Sequence, residues 1–115
     1  MKKWIAVGVI SLLGTTAAQA APTPYQFGFA LQAAAQCDSL QLRIDTEGKV
    51  NAARETPIRK SDGFREGLFY VADHDSASTC REAWEKYGCS GSEVPGLIQE
   101  SPFDASNPKL CEYRG

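Results

Sequence analysis

The residues able to do chemistry in this 115-residue chain are few: four cysteines, Cys37, Cys80, Cys89 and Cys111, and a single histidine, His74. An even cysteine count in a short chain that carries an export signal reads as a disulfide framework. The spacing argues against zinc, because there is no C-x-x-C pair and only one histidine to complete a ligand set. Paired cysteines also remove the thiolate that a cysteine nucleophile needs. His74 is the one side chain whose ordinary titration lies near neutrality. Adjacent residues point in different directions, so Asp73-His74-Asp75 is expected to be a solvated turn and not a preformed dyad or metal site.

Other catalytic arrangements find no support. Ser90-Gly91-Ser92 lacks the G-x-S-x-G context of a nucleophile elbow. Glu82, Glu85 and Glu93 are carboxylates of the right type for glycoside hydrolysis, but Glu82 and Glu85 already have helix-spaced ion-pair partners in Lys86 and Arg81. No glycine-rich phosphate loop occurs. The expectation is therefore a non-enzyme with no catalytic residue, no cofactor and no metal. The aromatic residues offer a different activity. Phe29, Phe69 and Tyr70 lie beside apolar stripes already filled by their neighbours, and an exposed ridge built from them would be a partner surface.

The first twenty residues place this chemistry outside the cytoplasm. Lys2 and Lys3 form a positive start, Trp4 to Leu13 an apolar core, and Ala18-Gln19-Ala20 an A-x-A cleavage site. The apolar run is shorter than the ~20 residues of a bilayer span. The reading is a signal peptide over residues 1–20, cleaved before Ala21, and a single mature domain over 21–115. The compact signal fits bacterial export, with the periplasm as destination and secretion as the alternative. Loss of Lys2 and Lys3 leaves ten Lys and Arg against fourteen Asp and Glu, a charge of −4. That acidity argues against a nucleic-acid partner, and no later segment is long and apolar enough for stable membrane insertion.

These side chains need elements to position them. Thr23-Pro24 reads as a cap and first residue of a helix through Phe27, Ala30, Leu31 and Ala34 to Cys37. Leu40, Leu42 and Ile44 alternate, but with no second strand visible the stretch reads as an extended connector. Asp45 is placed to cap a short helix through Val50. A further helix is expected over Ser61–Asp73, with a turn from Pro57, and Gly63 and Gly67 lie on one face for close helix packing or, alternatively, a ligand groove. Ser76 is expected to cap the best-defined helix, which carries Cys80, Ala83, Trp84 and Tyr87 and ends at Gly88. Residues 93–99 read as one or two helical turns that bring Val94, Leu97 and Ile98 inward. Prolines and glycine make the remainder loop-rich.

Helix geometry removes one of three cysteine pairings. Cys80 and Cys89, nine residues apart along one helix, would sit roughly 13 Å apart, beyond the ~7 Å a disulfide spans. Two pairings remain. Packing of the first helix on the later one favours Cys37–Cys80, leaving Cys89 for Cys111.

Cys80-x-x-Ala83-Trp84-x-x-Tyr87-Gly88, followed by Val94-Pro95-Gly96-Leu97-Ile98, resembles a pattern in small exported alphaproteobacterial proteins that have no assigned function. An earlier cysteine and L-x-L-like stretch there is similar to Cys37–Leu42 here. The resemblance implies a mostly helical fold and supports Cys37–Cys80, and it implies no activity. The fold expected is all-α: a small disulfide-stapled bundle of four to five short helices with a loop-rich C-terminus. The function expected is an exported, non-enzymatic factor that binds another protein or an envelope component. An inhibitor or immunity protein against an exported toxin, and a small periplasmic hydrolase, are the alternatives.

Overall fold

The computed structural model describes residues 21–100 and 111–113. Residues 1–20, where the signal peptide is expected, and residues 101–110 and 114–115 lie outside the described residues. Within them the protein is a small helical fold with two disulfides: α1 (Pro24–Gln36), β1 (Leu40–Gln41), α2 (Thr46–Ala52), a 3₁₀ turn (Ile58–Lys60), α3 (Phe64–Asp73), α4 (Ser76–Tyr87) and β2 (Gln99–Glu100).

Helix α1 starts with a full capping box. Thr23 Oγ1 accepts from the Gln26 amide at 3.1 Å, and Gln26 Oε1 accepts from the Thr23 amide at 2.9 Å. Pro24 occupies the first turn, where its missing N–H leaves no bond unmade. Helices α1 and α3 meet at backbone distance. A Cβ on Gly28 would overlap the Phe64 carbonyl, and one on Gly67 would overlap the Tyr25 carbonyl and crowd the Phe29 amide. Gly67 is thus a packing residue and not the floor of a groove. Gly63 serves the chain direction instead, turning the backbone into α3 at φ +98°.

The helix expected from Ser61 begins at Phe64, because Ile58–Lys60 close a separate 3₁₀ turn first. Helix α4 is capped by Asp75, whose carboxylate accepts from the Ser78 amide at 3.0 Å, and not by Ser76 as expected. Asp45 does precede α2, but its side chain makes no cap bond and pairs with Arg43.

Residues 93–98 form no helix. Their amides turn back to cap the end of α4 instead: Glu93 and Val94 donate to the Lys86 carbonyl, Gly96 to Gly88, and Ile98 to Tyr87 at 2.9 Å. The carbonyls that a helix end leaves unpaired find partners there, which is why the segment cannot also bond to itself. Val94, Leu97 and Ile98 are nonetheless fully buried, as their pattern required. The segment ends in β2, which pairs antiparallel with β1, Leu40 opposite Glu100 and Gln41 opposite Gln99. The Leu40 stretch therefore has the strand partner that the sequence did not reveal. Ile44, two residues after Leu42, is fully exposed because the chain has left the strand by then.

The core runs through α1, α3, α4 and the capping segment. Phe27, Phe29, Ala30, Ala33, Val71, Ala83 and Tyr87 are buried in it, and Tyr113 joins from the C-terminal side.

Candidate functional site

The cysteines pair as Cys37–Cys80 and Cys89–Cys111, with Cα–Cα distances of 5.9 and 5.6 Å, and no free cysteine remains. The first joins the end of α1 to the first half of α4. The second ties the residue just past α4 to the segment that carries Tyr113.

His74 caps α3 by its backbone and folds its ring onto Tyr70, centroids 3.9 Å apart, with Nδ1 2.6 Å from the Tyr70 carbonyl. Both contacts are to its own helix, so the ring closes a helix end. Among the described residues no group of three or more His, Cys, Asp or Glu side chains could hold a metal. Ser90 and Ser92 lie in the capping loop, and Ser92 donates its amide to the Glu85 carbonyl.

Glu82 and Glu93 are drawn into one polar cluster. Lys86 Nζ lies 2.8 Å from Glu82 and 3.6 Å from Glu93, while Glu93 Oε1 accepts from Gln26 Nε2 at 3.1 Å and from the Tyr87 hydroxyl at 3.2 Å. Burial, and then the Glu93 charge, push the Tyr87 phenol well above the ordinary tyrosine range, so it stays a donor. The cluster ties the start of α1, the end of α4 and the capping loop together. Among the described residues no ion pair joins Arg81 to Glu85, the other helix-spaced pair expected.

The three aromatic residues expected to form a partner surface separate. Phe29 is 2 % exposed, its ring between Tyr70 at 5.6 Å and Tyr87 at 5.7 Å. It belongs to the core because α1 is covered on two sides, by α3 and by α4, so its apolar face is wider than one stripe. Tyr70 is half-buried between Phe29 and His74. Phe69 alone is outward, 57 % exposed. It lines a groove of about 780 Å³ together with Arg59, Lys60, Asp62, Arg65 and Glu66. Arg59 is held at one wall by a two-pronged pair with Glu47, at 2.6 and 2.8 Å.

Two further exposed apolar side chains, Tyr25 and Ile44, were not singled out from the sequence as surface residues. Tyr25 shares the aromatic row, 6.4 Å from Phe29. Its position beside the glycine contact of α1 with α3 is a tertiary fact with no local signal. Ile44 sits on a separate groove formed by residues 41–45.

The described residues form a small disulfide-bonded helical domain in which all four cysteines are paired and the exposed Phe69 lies beside a charged groove. No protein-family model, no curated protein and no solved structure matches the chain. Among the described residues no helix is long and apolar enough to cross a membrane.

Proposed function

We propose that this is an exported, non-catalytic binding factor whose partner is another protein, met at the α3 surface around Phe69. The observation that carries the reading is the exposure of this phenylalanine beside a groove walled by Arg59, Lys60 and Arg65 and by Asp62 and Glu66. A large aromatic anchor ringed by charged side chains is the usual make-up of an interface hot spot and its rim. Two disulfides suit the oxidising compartment to which the N-terminal signal points, with the periplasm preferred over secretion. An inhibitor or immunity role against an exported toxin is a special case of the same reading.

Affinity capture from envelope extract tests it, with the wild type and Phe69→Ser as paired baits. A discrete protein held at near-equal stoichiometry by the wild type and lost with Phe69→Ser supports the proposal. Equal capture by both baits, or no discrete partner, overturns it.

A further inference from the structure

Arg59 is held from three sides before any partner arrives. Its backbone belongs to the 3₁₀ turn Ile58–Lys60, where Ile58 is buried and its amide donates to Asn51 Oδ1 at 2.9 Å. Its guanidinium donates through Nε and Nη2 to the two carboxylate oxygens of Glu47, at 2.6 and 2.8 Å. The guanidinium carbon lies 6.0 Å from the ring centroid of Phe64, the first residue of α3. Yet the Arg59 side chain is 51 % exposed. A guanidinium has five N–H donors in one plane, and Glu47 takes only the side formed by Nε and Nη2. The end formed by Nη1 and Nη2 keeps its other donors, which have no partner among the described residues. That end matches a second carboxylate, because Arg and a carboxylate meet through paired, parallel hydrogen bonds.

We propose that Arg59 is the specificity residue of the Phe69 surface: its open end takes one carboxylate of a partner peptide whose neighbouring apolar side chain packs on Phe69. This rests on the reading of that surface as a protein-binding face and adds what the partner carries. Arg59 and Phe69 line the same groove with Lys60 and Arg65, two cations that have no ion-pair partner among the described residues. Their charge favours an acid. Asp62 and Glu66 line the groove too, however, and Glu47 already balances Arg59. The groove therefore suits a single carboxylate placed by geometry and repels a run of negative charge such as an anionic lipid surface. Glu47 and Phe64 are positioning residues. They fix the plane of the guanidinium, so less side-chain freedom is lost when the carboxylate binds.

Short peptides blocked at both ends, each with one Glu close to one Leu, test this beside the same peptides with Gln in place of Glu. NMR of the nitrogen-labelled, oxidised protein follows the backbone amides and the Arg59 guanidinium. The Glu peptides should shift the Arg59 side-chain signals and the amides of residues 59–69, and should bind about tenfold more tightly than the Gln peptides. Arg59→Lys keeps the charge without the fork and should lose most of that preference, whereas Lys60→Gln should weaken the Glu peptides by only about twofold. If Arg59→Lys fails to fold, the guanidinium signals of the wild type still decide. Equal binding of the two peptide sets, no binding of either, or Glu peptides that leave Arg59 unmoved overturns the proposal. So does a preference for phosphatidylglycerol vesicles over the peptides. Capture from envelope extract separates the two readings: a partner lost with Phe69→Ser but held at the wild-type level by Arg59→Lys removes Arg59 and leaves the Phe69 surface standing.

Discussion

At the scale of single residues, the contact between α1 and α3 gives a sign test. In an exposed helix, Gly→Ala stabilises by up to ~1 kcal/mol. Gly48 in α2 has open space where a Cβ would go, so Gly48→Ala should follow that rule. Gly67 has the Tyr25 carbonyl there instead, and backbone cannot move aside as a side chain can. Gly67→Ala should therefore lower stability by ~1–3 kcal/mol or more, as other overpacked sites do. Urea midpoints of the two variants should move in opposite directions, and a stabilised Gly67→Ala would disprove the close approach. The aromatic residues give a second contrast. Phe29→Ala should cost ~3–5 kcal/mol, as deletion of a buried ring does. Phe69→Ser should stay within about 0.5 kcal/mol of wild type, because an exposed ring contributes little to the fold. A large loss for Phe69→Ser in the same urea series would place that ring in the core.

Among elements, the seat of the C-terminal segment against α2 is sensitive to acid. The hydrogen bond from Lys49 holds the Glu112 carboxyl below its usual 4.5, and Arg43 holds that of Asp45 below its usual 3.8. A carboxyl depressed in the folded state contributes stability that is present above its ordinary pKa. That contribution is lost as the pH falls through the folded value. Stability should therefore be level from pH 8 down to about 5 and decline below about 4.5. Urea midpoints measured across this range for wild type and Lys49→Met check the assignment. The Lys49→Met variant should show a shallower acid decline, and an unchanged slope would mean that Lys49 does not hold Glu112.

For the whole molecule the prediction concerns the two staples. Removing a native disulfide from a small exported domain costs ~2–5 kcal/mol. The bonds span 43 and 22 residues, so loop-closure entropy alone makes the Cys37→Ser, Cys80→Ser pair the costlier by roughly 0.6 kcal/mol. The margin is small because the second bond does more than restrain surface chain: it delivers Tyr113 to the core. Thermal unfolding of the two double variants measures the difference. A Cys89→Ser, Cys111→Ser variant that melts first would rank the tail's packing above loop entropy. At the same scale, intact mass of exported material should show a chain beginning at Ala21, and a chain retaining Lys2 would end the export reading.

By itself the sequence determined what is local. Thr23-Pro24 marks the start of α1, and the Cys80–Tyr87 periodicity marks α4. Nine residues of helical rise keep Cys80 from Cys89, which narrows the disulfides to two pairings before any fold is known. The inward direction of Val94, Leu97 and Ile98 was also legible, because apolar spacing records which side chains need cover. Tertiary structure decided how many sides of each element are covered and by what. The period of α1 shows a stripe, but only α3 on one side and α4 on the other make Phe29 core, while Phe69 is left outward. The partner of Leu40–Gln41 lies some sixty residues away in a two-residue strand, too short to leave a periodic signal. Residues 93–98 carry helix-like spacing, yet their amides serve the open end of α4. Backbone hydrogen bonds are saturable, so a group used by a distant partner is lost to its neighbours, and local pattern cannot foretell that competition.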